Sequence, residues 1–328
     1  MKNLISLFKN ADVGLFVIQL PNKQIVDANF CFARILGYES LQALFVDFAW
    51  KKHFSLAGQN DPFTLPNLKQ LAEYREIHIY RVDGSSRWVQ FSYGVYPKTG
   101  IIEGIIVDIS DRKTLEHEII RISDLEKEKF GRDLHDTLGQ TLTGTAFLCR
   151  ALVQRLTKND AKLEEQVKHI ENLVNQAMVQ ARYLAHGLAH IEVKPAGIVA
   201  HLKMLATQAQ AVFGKECVLN TPAKVVLNDA ESATHLYRIA QEAVHNALKY
   251  SGSSKIAISL TKTANGGILT VEDFGRGLSK KPSRTKGIGM QLMNLRARLM
   301  GATVTFFSRK DQGLKITCTF PLAKEKMR

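Results

Sequence analysis

Between Leu163 and Ile191 the apolar residues Leu163, Val167, Ile170, Val174, Ala177, Ala181, Leu184, Leu188 and Ile191 follow steps of four and three without a break. A seam with that spacing dictates a long helix carrying one apolar stripe, packed against another helix. A second stretch precedes it: Leu115, Ile119 and Ile122, then a shift in spacing, then Phe130, Leu134, Leu138 and Leu142 at four-residue steps. Thr157-Lys158-Asn159-Asp160 supplies a turn between two antiparallel helices. Two such helices do not fill a core alone, whereas two hairpins packed together form a four-helix bundle. The pattern therefore predicts a homodimer.

The flanking segments read differently. Before the helices, GLFVIQL, REIHIYRV, RWVQFSYGVY and GIIEGIIVDIS are strand-like runs bounded by turn signals, with a helical piece around ANFCFARILGY. Asp83-Gly84, flanked by alternating apolar residues, predicts a hairpin. After them comes a long helix, ATHLYRIAQEAVHNALKYSG. The strands KIAISLTKT and GGILTVEDFG, a glycine-rich stretch, a helix at IGMQLMNLRARLMG and two last strands, TVTFFSR and LKITCTFPL, follow. The whole reads as a multidomain α+β chain with domains at 1–112, 113–192 and 193–328, a size that suits two or three cores for 328 residues.

Composition narrows the classes. The hydrophobic fraction of 45% and charged fraction of 23% are ordinary for a globular protein, and no run reaches the length of a membrane helix. The N-terminal stretch lacks the apolar block of a signal peptide, so a cytoplasmic location is expected. Cys31, Cys149, Cys217 and Cys318 lie far apart, which is neither a disulfide framework nor a zinc pattern. The formal charge of +13 points to anionic partners, but the basic residues are interspersed with acids. With no recognisable reading helix, direct nucleic-acid binding is not expected.

The chemistry-bearing residues fall in two places. In EKEKFGRDLHDTLGQ, His135 adjoins Asp136, and Gln140 follows one helical turn on. Histidine is the side chain most easily tuned near neutral pH, which makes the pair a candidate site, though a solvated helix face can carry the same pair. Farther on, Glu242, Asn246 and Lys249 share a helix face. An acid and an amide oxygen suit a hard cation, and a lysine suits phosphate. Gly275, Gly277, Gly287 and Gly289 flank the basic loop SKKPSRTK at 279–286, where glycine allows backbone to approach phosphate closely. Asp273-Phe274-Gly275 also spells the protein-kinase DFG triplet, but no HRDLxxxN loop or VAIK-type strand accompanies it.

Taken in order, these motifs resemble the two-component sensor histidine kinases of the NarX/DesK type. Their phosphoacceptor box, E-(K/R)-x-(K/R)-(I/F)-(A/G)-R-(E/D)-L-H-D-x-x-G-Q, is matched throughout by EKEKFGRDLHDTLGQ. The likeness covers roughly residues 113–325 and continues into the ATP-binding domain shared with gyrase, the ninety-kilodalton heat-shock chaperone and MutL. The resemblance implies an α/β sandwich of the Bergerat type, ATP and Mg²⁺, and phosphorylation of His135. It further implies that Asp136 orients His135 and that Gln140 positions a water for dephosphorylating a partner. Glu242 and Asn246 would handle Mg²⁺, Lys249 would contact phosphates, and Asp273 would accept from the adenine amino group. Gly275, Gly277, Gly287 and Gly289 would let the chain close round the nucleotide beneath a short lid, 278–286. The implied partner is a response regulator of the NarL type.

Residues 1–112 resemble a PAS sensor domain through Asp27-Ala28-Asn29, the YRVDGSSRWV hairpin and the closing GIIVDISDRK. That implies a five-stranded antiparallel sheet with helices on one side, serving either as a ligand pocket or as an empty interaction module; its ligand is unknown. Three positions depart from the kinase pattern: Phe274 stands where Asn is usual, Leu314 follows Gly313 where Thr is usual, and Met290 replaces Leu. Two other readings compete with the kinase. One is a phosphatase-dominated sensor using Asp136 and Gln140, and the other a scaffold whose kinase domain has decayed.

Overall fold

A computed structural model describes residues 2–20, 22–54, 74–155, 161–188, 191–221, 225–264, 266–278, 288–308 and 312–322. The chain divides into two compact units, Met1–Glu116 and His117–Arg328. The division falls inside a helix that already starts at Ser110, ahead of the expected domain boundary.

The first unit carries α1 (Lys2–Asn10), β1 (Gly14–Gln19), β2 (Gln24–Ala28), α2 (Phe30–Leu36), α3 (Leu41–Asp47), α4 (Trp50–His53), β3 (Arg75–Tyr80), β4 (Ser86–Tyr96) and β5 (Ile101–Asp108). Its strands form one antiparallel sheet in the order β2-β1-β5-β4-β3. The expected hairpin closes with Tyr80 opposite Ser86, and Gly84 takes the left-handed conformation. Strand alternation turns Phe16, Phe91 and Ile106 into a core shared with Phe32, Trp50 and Phe54, whose stacked rings lie 3.9 Å apart in the Trp50–Phe54 pair.

Asn29 ties this unit together. Its Oδ1 accepts from Phe32 N at 3.0 Å, capping α2, and from Leu15 N at 2.9 Å on β1. Its Nδ2 donates to Val13 O at 2.8 Å and Phe8 O at 3.1 Å. One buried amide therefore joins α1, β1 and α2.

The helix that spans the division is α5 (Ser110–Asp133); the second unit continues from it through a π-helical segment at Leu134–Gly139 to α6 (Gln140–Arg155) and α7 (Ala161–Leu188). The expected turn at 157–160 lies outside the described residues. α6 and α7 pair through Arg150 and Glu171, 3.3 Å apart, and through Thr143 and Met178. Val167 and Ala181 of the seam are buried, whereas Leu163, Ile170 and Leu184 are exposed in the single chain.

The remainder comprises α8 (Ile198–Phe213), β6 (Glu216–Asn220), α9 (Ala230–Asn246), a π-helical segment at Ala247–Ser251, β7 (Lys255–Thr263), β8 (Gly266–Asp273), α10 (Ile288–Leu299), β9 (Thr303–Ser308) and β10 (Leu314–Phe320). The sheet runs β6-β7-β8-β10-β9, with only the β6–β7 pair parallel. Leu202 and Leu205 of α8, Leu236, Ala240 and Val244 of α9, and Met293 of α10 share one core with the sheet residues Ile258, Val271 and Cys318. Burial pushes the Cys217 and Cys318 thiols up to about 11 and about 12, so both remain protonated core groups.

Asn29→Ala would leave the Leu15 amide and the Phe8 and Val13 carbonyls without their partner. A loss of about 3 kcal/mol is expected from those orphaned groups. It is measurable by urea titration of tryptophan fluorescence, because Trp50 and Trp88, the only tryptophans, both lie in the first unit.

Candidate active site

Residues Phe130, Leu134, Leu138 and Leu142 repeat every four positions, and each such step overruns a 3.6-residue turn by about 40°. The wider turn of the π segment at Leu134–Gly139 takes up part of that drift. The irregularity sits here, and α5 runs unbroken through Ile122–Phe130, where the spacing shift had placed it. Thr141 Oγ1 and Thr143 Oγ1 donate to the carbonyls of Thr137 and Gly139 at 2.8 and 2.7 Å, satisfying acceptors where the hydrogen-bond ladder changes.

His135 and Asp136 are both exposed on this segment, at 67% and 70% of their side-chain surface. His135 Nδ1 lies 3.1 Å from Asp136 Oδ1. A proton held on Nδ1 by the carboxylate leaves the lone pair on Nε2, the arrangement an imidazole nucleophile needs. His135, Gln140, Gly144, Phe147 and Arg182 line a pocket of about 440 Å³, so the amide expected one turn away shares the histidine's surroundings.

The second set of residues lies on α9. Asp229 caps the helix, accepting from Ser232 N at 2.6 Å. Ala233, Leu236, Ala240 and Val244 face the core, which turns Glu242 and Asn246 to the other side. Asn246 Nδ2 donates to Glu242 Oε1 at 3.4 Å, leaving the amide oxygen of Asn246 for a ligand. A carboxylate and an amide oxygen fit a Mg²⁺ ion that takes its other ligands from water and phosphate. Lys249 lies in the following π segment, its ammonium 5.1 Å from the Tyr250 ring centroid.

Glu242 has two further neighbours, of which Lys127 alone was not singled out from the sequence. Lys127 Nζ, from α5, lies 3.2 Å from Glu242 Oε2. Gly289, at the start of α10, packs so tightly on Glu242 that a Cβ there would overlap its Oε1. Glu242, Lys249 and Gly289 line one cleft of about 920 Å³ with Lys127 and Leu134. His245 also lines it and is half-buried; desolvation pulls its pKa down, so it stays neutral.

Asp273 ends β8, is buried, and accepts from Gly275 N at 3.0 Å. Gly275 lies against the Ser251 carbonyl, where a Cβ would clash, and that carbonyl accepts from Arg276 N at 3.0 Å. Ser253 Oγ accepts from Phe274 N at 3.2 Å, so the Ser251–Ser253 turn after α9 is the seat of the Asp273 loop. These serines were not singled out, though the SGSS run after the helix marks the turn. Gly277 adopts φ 70°, the left-handed region. Leu314 is half-buried against the core and presents no hydroxyl beside Asp273. Gly287 and the lid residues 279–286 lie outside the described residues.

Residues 126–192 match the family described as Histidine kinase, and residues 231–324 match the Histidine kinase-, DNA gyrase B-, and HSP90-like ATPase family. Sensor protein VraS of Staphylococcus haemolyticus is 26% identical over 208 residues, covering 63% of this chain and 59% of the relative. VraS of Staphylococcus aureus strain COL is 27% identical over the same shares. The chain thus spans under two thirds of the length of these curated relatives. A blue-light activated histidine kinase of Erythrobacter litoralis aligns over 98% of this chain and 99% of its own, at 17% identity and a TM-score of 0.33, too loose a likeness to carry weight. In domain content the two family matches support a histidine kinase. Among the described residues no helix is long and apolar enough to cross a membrane.

Gly289→Ala should displace the Glu242 carboxylate or the first turn of α10. A fluorescent ATP analogue is expected to bind about tenfold more weakly, equivalent to 1.4 kcal/mol; unchanged affinity would show that the Gly289–Glu242 contact does not shape the site.

Proposed function

We propose that this chain, which carries a histidine kinase segment and a histidine kinase-type ATPase domain, autophosphorylates His135 from ATP and passes the phosphoryl group to an aspartate of a response regulator. The observation that carries the reading is the His135–Asp136 pair, whose geometry leaves Nε2 free on an exposed helix face.

In the proposed reaction Nε2 attacks the γ-phosphorus, the bond to the bridging oxygen breaks, and the electron pair leaves on ADP. The imidazole gains positive charge as the N–P bond forms. Asp136, against Nδ1–H, would stabilise that charge, and the proton would then leave to water. Bound Mg²⁺ would neutralise developing phosphate charge. Glu242 and Asn246 would hold it, Lys249 would meet the phosphates, and the buried Asp273 would accept from the adenine amino group. Gly275, Gly277 and Gly289 would let the backbone close round the nucleotide.

Gln140 shares a pocket with His135. This favours a second activity at the same site, dephosphorylation of the regulator through a water oriented by the amide. The exposed seam residues Leu163, Ile170 and Leu184 support a second copy completing a four-helix bundle. The five-stranded sheet of the first unit supports a PAS-like sensor module ahead of the kinase, and a NarL-type regulator is the partner we propose. The assigned segments are 1–112 for the sensor, 113–192 for the phosphoacceptor helices and 193–328 for ATP binding.

With γ-labelled ATP and Mg²⁺, wild type should take up acid-labile, base-stable label. His135→Gln should take up none, and chelation of Mg²⁺ should abolish uptake. Absence of label in a wild-type chain that binds ATP would shift the reading to the phosphatase. A second expectation concerns Lys127, which holds Glu242 in this arrangement. Lys127→Ala should raise the initial labelling rate by up to about fivefold, the scale of a partly exposed ion pair. A fall in rate would assign Lys127 a direct role in the reaction instead.

A further inference from the structure

Arg34 on α2, Arg81 after β3 and Arg87 on β4 converge with Asp12, Cys31 and Asp108 on a polar pocket of about 260 Å³ in the first unit. Its Cys31 and Ile35 back onto the core built on Phe16, Phe32, Trp50 and Phe91, whose rings do not line it. Each guanidinium offers five N–H donors in a planar fork. Here their acidic neighbours pair with them by charge but lie beyond hydrogen-bond distance: Arg81 Nη1 is 3.7 Å from Asp83 Oδ2, and Arg87 Nε is 3.8 Å from Asp108 Oδ2. Arg34 Nη2 has a cysteine sulfur, a soft and weak acceptor, at 3.9 Å. Arg81 Nε is buried without a hydrogen-bond partner among the described residues.

Arg81 is nevertheless held in place. Its Nη2 donates to Arg34 O at 3.3 Å. Its stem fills the slot left by Gly37, the left-handed cap of α2, where a Cβ would come within 3.1 Å of Nε. A fixed guanidinium with uncommitted donors, flanked by two more, is how proteins recognise planar or tetrahedral oxyanions.

We infer that this pocket binds a small oxyanion, a carboxylate or a phosphate, held by Arg34, Arg81 and Arg87. The volume is that of several waters, which limits the ligand to a small metabolite-sized acid or inorganic phosphate. Binding would compete with Asp108 for Arg87. Asp108 Oδ1 accepts from Ser110 N at 2.8 Å, at the first residue of α5. Occupancy of the pocket is therefore felt where that helix begins. The inference does not rest on the kinase reading, and its test needs no catalysis.

The experiment is calorimetric titration of the full chain with inorganic phosphate and, separately, succinate at constant ionic strength. Trp88 fluorescence, one residue from Arg87, serves as a second readout. Saturable binding of at least one is expected, and whichever binds more tightly identifies the source. Arg81→Gln and Arg87→Gln should each weaken it at least about tenfold, the scale of a charged hydrogen bond. Arg87→Lys, which keeps the charge but loses the fork, should weaken it less, and Arg75→Gln, outside the pocket, should leave it unchanged. Circular dichroism confirms that the variants are folded. No saturable binding of either anion, or affinity indifferent to both glutamine variants, would overturn the site.

Discussion

Everything in the second unit depends on how α9 is pinned. Leu236, Ala240 and Val244 must be buried in the core that α9 shares with β8, α8 and α10, and a helix fixed along one face has no freedom on the other. Glu242 and Asn246 therefore project together, and their carboxylate and amide are 3.4 Å apart without any loop to position them. The helix then widens into a π segment and stops at Gly252, which seats Ser251 and Ser253 beneath the Asp273 turn. One packing decision thus orients three groups of functional residues.

The same logic governs the phosphoacceptor helix, with electrostatics added. Asp124 and Arg296 meet at 2.5 Å, with the arginine nearly fully buried, and Lys127 meets Glu242 one helical turn farther along α5. A buried charge left without its partner is costly, so the Asp124–Arg296 pair resists separation more than the partly exposed Lys127–Glu242 pair does. His235 lies beside Arg296, and burial pulls its pKa down, so this joint carries a neutral imidazole beside the guanidinium. The arrangement keeps Glu242 engaged by α5.

How much of this could be read from the sequence follows from which forces are local. Strands β1, β3, β4, β5, β7, β8, β9 and β10 were legible because alternation and turn residues are short-range signals. β2 at Gln24–Ala28 was missed, since its exposed edge shows no alternation. α8 and β6 went unread because α8 is buried on one face within a run poor in capping signals, with no side-chain cap at Gly197. The site residues were legible where spacing encodes chemistry, as with His135-Asp136 and Glu242-Asn246. Lys127, Ser251 and Ser253 were not, because their roles arise from contacts between elements distant in sequence. The π segment displaced the expected irregularity because a pattern of four-residue steps shows that strain accumulates but not which turn relaxes it.

The central claim is that Asp136 fixes the Nδ1 proton and so leaves Nε2 to react. The direct measurement is nitrogen-15-resolved NMR of the phosphorylated chain at neutral pH, which distinguishes phosphate on Nε2 from phosphate on Nδ1 by its coupling. The account predicts Nε2-phosphohistidine at position 135 and nothing elsewhere. Phosphate on Nδ1, or on any other residue with His135 unmodified, would contradict it.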